Sequence, residues 1–110
     1  MTPRVSLLLP NRDNAPVLDL VLDRLAVNSQ YDDLELVVVD DGSTDGSREI
    51  LRRWRDSGRF ADFQLIEREP SGVIETLNAG LQAATGELVV QLDGDASVET
   101  PGWVGKMVAL

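Results

Sequence analysis

Short, almost wholly apolar runs alternate along this chain with longer stretches in which apolar residues recur every third or fourth position. Val5 to Leu9 is a run of the first kind, stopped by Pro10. Leu34 to Val39 and Glu87 to Leu92 are two more, and Phe63 to Ile66 is a weaker one. Runs apolar on both faces suit strands buried between helical layers, as in parallel sheets. Between them, Leu18, Val21, Leu22 and Leu25 fall on one face of a helix, with Asn14 as its N-cap and Pro16 in its first turn. Ile50, Leu51 and Trp54 mark a second helix capped by Asp45. Ile74, Leu77, Leu81 and Ala84 mark a third, ended by Gly86 as a left-handed terminator. The order β-α-β-α-β-α-β predicts an α/β fold, a three-layer α/β/α sandwich with a mainly parallel sheet. No repeat or linker interrupts it, so residues 1–110 read as one domain.

Composition narrows the partners. The 110 residues include 19 acidic and 10 basic side chains, for a formal charge of −9 without histidine. Nucleic-acid binders cluster Lys and Arg, so no nucleic acid is expected here. Arg48, Arg52, Arg53, Arg55 and Arg59 follow helical spacing among acids and read as a solvated helix face. The absence of cysteine excludes disulfides and thiolate chemistry, and fits a cytoplasmic setting. The apolar run near the N-terminus is too short for a membrane span or a signal-peptide core.

Ligands of open parallel sheets bind beyond the carboxyl ends of the strands, so the turns there are where chemistry is sought. Those turns are Pro10-Asn11-Arg12-Asp13-Asn14, Asp40 to Ser47, Arg68 to Gly72, and Asp93-Gly94-Asp95. Two carboxylate pairs, Asp40-Asp41 and Asp93/Asp95, thus converge on one edge. Asp93 and Asp95 flank a glycine that lets the backbone bend, and their hard oxygens suit Mg²⁺ or Mn²⁺ shared with substrate phosphates. Asp40 stands closest to its strand end, where a carboxylate can accept from a base N–H or a sugar hydroxyl. Asp45 to Ser47 carry the turn and the helix start.

These motifs resemble family 2 glycosyltransferases. Val5 to Asn14 is similar to that family's opening strand and turn, and Leu36 to Ser47 to its second strand and acidic turn. Gly72, Leu77 to Leu81 and Ala84 to Glu87 resemble its third helix; Leu92 to Asp95, with Pro101 and Trp103, resembles its D-x-D segment. The resemblance implies half of a GT-A fold, a nucleoside-diphosphate sugar donor, a divalent cation and transfer with inversion onto a hydroxyl of a glycan, lipid or other acceptor. It implies that Pro10, Asn11 and Asp13 line the nucleoside pocket and that Asp40 meets the base with Asp41 nearby. It further implies that Asp93 meets the ribose or metal and that Asp95 binds the cation. Ile74 and Glu75 depart from the family pattern, which often has basic or small residues there. The family's general base is expected beyond Leu110, leaving an apparently truncated, inactive donor-binding portion, with the parent at the cytoplasmic face of a membrane. The terminal stretch Trp103 to Leu110 is expected either to fold back over its own sheet or to pack on a second copy, with a homodimer the favoured arrangement.

Three other classes share parts of this pattern. A dinucleotide-binding domain needs glycines after the first strand, and Pro10 to Asn14 has none. A haloacid-dehalogenase-type phosphatase is imitated by Asp93-Gly94-Asp95-Ala96-Ser97, but only Lys106 follows as a lysine. A non-catalytic nucleotide-binding module is the alternative compatible with the same pocket.

Overall fold

The computed structural model describes residues 2–95 and 97–110; Ala96 of the phosphatase-like motif lies outside them. Four strands, β1 (Val5–Asn11), β2 (Leu34–Asp41), β3 (Asp62–Arg68) and β4 (Leu88–Gln91), form a sheet in the order β3-β2-β1-β4. Every pairing is parallel. Helices α1 (Ala15–Asn28), α2 (Ser47–Asp56) and α3 (Val73–Ala83) make the crossovers, and α4 (Trp103–Val108) follows.

Alternation along β1 and β2 divides the interior into two layers. Val5, Leu7, Leu9, Leu36 and Val38 face α1, α2 and α4, where they meet Leu18, Leu22, Leu25, Leu51, Trp54 and Val104. Leu8, Val37 and Val39 face α3 and meet Leu77, Ala79 and Ala83. The expected three-layer sandwich is therefore present, with β1 and β2 covered on both faces.

The helices differ from expectation in their ends and in one face. Asn14 is the N-cap of α1 but makes no side-chain cap bond. Asp45 supplies it from another turn, accepting from the Ala15 N–H at 2.9 Å. The same Asp45 accepts from the Ser47 N–H at 3.0 Å at the start of α2, whose N-cap position is Gly46. Ile74 and Leu81 of α3 are exposed at 74% and 52%, and the buried positions are Thr76 and Gly80. A β-carbon on Gly80 would overlap the side chain of Leu8, so small residues let α3 lie close on the sheet. Gly86 is no left-handed terminator, since the C-cap is the extended Ala84. Gly86 is required by proximity: a β-carbon there would stand 2.6 Å from the Ser6 backbone N.

Strand β4 is also unlike the expected buried run. Its four residues form a sheet edge, and Leu88 and Val89 are 42% and 40% exposed. The parallel pairing continues past its end, with the Leu92 N–H donating to the Leu8 carbonyl at 2.8 Å. Helix α4 folds back on its own chain, the first of the two expected placements of this stretch. Val104 is fully buried, and the Trp103 indole N–H donates to Ser29 Oγ at 2.7 Å.

Candidate functional site

Because all four strands are parallel, their following turns gather along one edge. The Pro10–Asn14 turn meets the Asp40–Ser47 turn through Asp13, a non-glycine residue with φ of 52°. Its N–H donates to Ser43 Oγ at 2.9 Å, and its Oδ1 accepts from the Thr44 N–H at 2.8 Å. Two bonds thus hold a backbone conformation that L-residues seldom adopt.

Adjacent carboxylates in the second turn take opposite roles. Asp40 has no exposed surface. It accepts from Asn11 Nδ2 at 3.0 Å, Ser43 Oγ at 2.6 Å, the Ser43 N–H at 3.1 Å and Arg48 Nε at 2.8 Å. Burial pushes its carboxyl up, but Arg48, Ser43 and Asn11 outweigh burial and hold it below the ordinary carboxylate value. A carboxylate so enclosed has no free face for a base, which corrects the expected direct contact; Asp40 instead braces the turn.

Asp41 faces the other way, toward α3. Its Oδ1 accepts from the Ser71 N–H at 2.7 Å and from Ser71 Oγ at 3.1 Å, and its Oδ2 accepts from the Gly72 N–H at 3.1 Å. Burial again raises its carboxyl, and these backbone donors overcome burial to hold it low. Unlike Asp40, it lines a cavity of about 310 Å³ together with Pro10, Asn11, Arg12, Asn14, Gly72, Val73 and Thr76.

The D-G-D turn lies against this assembly. A β-carbon on Gly94 would stand 2.7 Å from the Pro10 carbonyl and 2.8 Å from Asn14 Nδ2, so only glycine permits the approach. Asp93 and Asp95 are exposed on either side of it. Among the described residues no group of three or more acidic side chains is gathered as a closed cation cage. Two exposed carboxylates would leave room around a hard cation for waters and phosphate oxygens. The two residues thus fit Mg²⁺ or Mn²⁺.

Pro10, Asn11 and Asp41 of the expected donor residues therefore line one cavity. Asp40 and Asp13 brace its rim, and Asp93 and Asp95 flank the neighbouring turn. Arg12 and Asn14, which the sequence places in the right turn without a binding role, also line it, as do Val73 and Thr76, which it does not single out. Arg12 carried a usable signal, as a lone cation in a polar turn at the end of a strand. Ile74 and Glu75, where the family pattern lapses, are exposed and outside the lining. A second cavity, of about 160 Å³, lies between α1 and α2 beside Asp19, Arg53, Trp54 and Arg59. Its charged groups are matched with one another, Asp19 accepting from both Arg53 and Trp54. The α2-region arginines expected to be merely solvated are ion-paired: Arg48–Asp40, Arg52–Glu67, Arg53–Asp19, Arg55–Asp56 and Arg59–Asp23.

An all-parallel α/β sheet with acidic turns around a cavity at its carboxyl edge defines the class of ligand-binding α/β proteins. Residues 6–110 match the model of glycosyl transferase family 2, and the chain belongs to that family. It is 33% identical over 97 residues to a cholesterol galactosyltransferase of Borreliella burgdorferi, covering 88% of this chain and 26% of that protein. Among solved structures it resembles a mannosyltransferase of Pyrobaculum calidifontis, in complex with GDP-Man and Mn²⁺. The TM-score is 0.80 at 38% identity, covering 88% of this chain and 29% of that one. TarS of S. aureus in complex with UDP-GlcNAc aligns with a TM-score of 0.82 at 25% identity, covering 96% and 30%. These neighbours are GT-A glycosyltransferases, and the chain spans less than a third of their length. Among the described residues no helix is long and apolar enough to cross a membrane.

Proposed function

We propose that the cavity beside Asp41 holds the nucleoside of a nucleoside-diphosphate sugar and that the chain is the donor-binding portion of a metal-dependent, inverting glycosyltransferase. The observation that carries this reading is the fixed Asp41 carboxylate in the cavity wall, with the Pro10–Asn14 turn beside it and the D-G-D turn against that turn. Asp41 accepts from a base N–H, Pro10 and Asn11 bound the nucleoside, and Asp93 and Asp95 address the ribose and the cation. Asp13 and Asp40 act one step back, by holding the rim in place.

In the reaction, an acceptor hydroxyl oxygen bonds to the anomeric carbon as the bond from that carbon to the diphosphate oxygen breaks. The nucleoside diphosphate leaves with the electron pair, and a general base takes the hydroxyl proton. Asp95 and Asp93 would hold the cation, whose charge would neutralise the departing diphosphate. We assign the general base to sequence outside these 110 residues, so that the chain alone binds donor without appreciable transfer.

Calorimetry with UDP and GDP, in Mn²⁺ and in EDTA, tests the reading. Affinity is expected to rise with Mn²⁺, and Asp95→Ala is expected to remove that rise while leaving metal-free binding intact. Equal affinity in Mn²⁺ and EDTA would sink the metal site.

A further inference from the structure

The backbone on both sides of Arg12 is anchored by hydrogen bonds, while its side chain is more than half exposed. Asn11 is anchored to Asp40 through Nδ2 at 3.0 Å, and the Asp13 N–H to Ser43 Oγ at 2.9 Å. Between these anchors the Arg12 side chain lines the cavity and is 56% exposed. Its one ion contact is loose, 3.9 Å from Nη1 to Asp41 Oδ2. Asp41 does not depend on it, because Ser71 and Gly72 already hold that carboxylate.

We infer that Arg12 is the stacking platform of the cavity, its guanidinium plane lying over a nucleobase whose edge meets Asp41. This rests on the nucleotide reading above and adds the group that covers the base. A base presents a polar edge and two flat faces, and the edge is served by Asp41. No aromatic side chain lines the cavity among the described residues, so a planar group must come from elsewhere. Arg12 is the only cation in that lining, and the guanidinium is planar, weakly hydrated and stacks on π-systems as the lysine ammonium does not. Its contact with Asp41, the residue assigned to the base, favours the base over the diphosphate as its partner.

The test compares wild type, R12A, R12K and R12Y in binding uridine, guanosine, UDP and GDP at low and high salt. Weak nucleoside affinities are read by competition, and thermal melts confirm that each variant is folded. R12A is expected to weaken nucleoside and nucleotide alike by about tenfold, the scale of a base stacked on a side chain. R12Y, planar but uncharged, is expected to keep most of the affinity; R12K, charged but not planar, is expected to behave like R12A. The proposal is overturned if R12K restores binding and the R12A defect is confined to diphosphates and fades in high salt, which marks a phosphate contact. It is equally overturned if R12A matches wild type on every ligand. If wild type itself binds none of the four, the nucleotide reading fails first and takes the inference with it.

Discussion

Asp40 and Asp41 are chemically identical neighbours, and their strand geometry separates them. Successive residues of β2 point to opposite faces, so one carboxylate enters the α1–α2 side and the other the α3 side. Sequence reasoning found the pair and its edge, but not which member stays open. That depends on Arg48 reaching back from α2 and on Ser71 and Gly72 arriving from beyond β3. Asp40→Asn is expected to destabilise the fold by about 1–3 kcal/mol, the cost of leaving donors around a buried acceptor unsatisfied, measurable by urea unfolding. An unchanged midpoint would mean that Asp40 does not brace the turn.

The same carboxylates set the acid response. Asp40, Asp41 and Glu35 are each pushed up by burial and held low by stronger hydrogen bonding, and Asp45 is held low chiefly by Ser47. All four are depressed in the fold, so below neutrality the unfolded chain binds more protons. Their contribution is complete above the unfolded values, roughly pH 4 to 4.3, and is lost as pH falls below these through the folded values. Urea midpoints are expected to change little between pH 7 and 5 and to drop steeply from about pH 4 downward. A midpoint that rises on acidification below pH 4 would contradict the assignment.

At the scale of elements, the helices and strands were legible wherever one face is apolar in a regular period. The first helix pattern, Leu18, Val21, Leu22 and Leu25, is the buried face of α1. Helix α3 misled because close packing inverts the usual signal: Thr76 and Gly80 face the sheet while Ile74 and Leu81 face out. Apolar periodicity reads side-chain bulk, and a helix drawn tight against a sheet selects against bulk. Glycines give a paired test of this reading. Gly86→Ala is expected to cost about 1–3 kcal/mol, because the new carbon meets the Ser6 and Arg4 backbones, which cannot yield as a side-chain tip can. Gly105→Ala, on α4 with nothing within 4 Å, is expected to gain about 0.5–1 kcal/mol from helix propensity. Thermal melts of the two variants should shift in opposite directions.

At the scale of the molecule, alternating patterns imply a parallel sheet whose turns gather at one edge, and both are present. Strand order and edge exposure were harder to read. Leu88, Val89 and Val90 are as apolar as Val37 to Val39, yet β4 is at the margin and β2 in the interior. The difference lies in which strands pair, a non-local fact. The docking of α4 is non-local in the same way, since Ser29 and Asn28, the groups that hold it, are distant in sequence.

The central claim is that the cavity beside Asp41, and not the one beside Trp54, receives a nucleoside diphosphate. Backbone amide NMR mapping with UDP and GDP in Mg²⁺ tests it most directly, because the two cavities share no residues. The account predicts that perturbations concentrate at Asn11 to Asn14, Asp41 to Ser43 and Ser71 to Thr76, with Asp41→Ala abolishing them. Perturbations centred on Asp19, Trp54 and Arg59, or none at millimolar ligand, would contradict it.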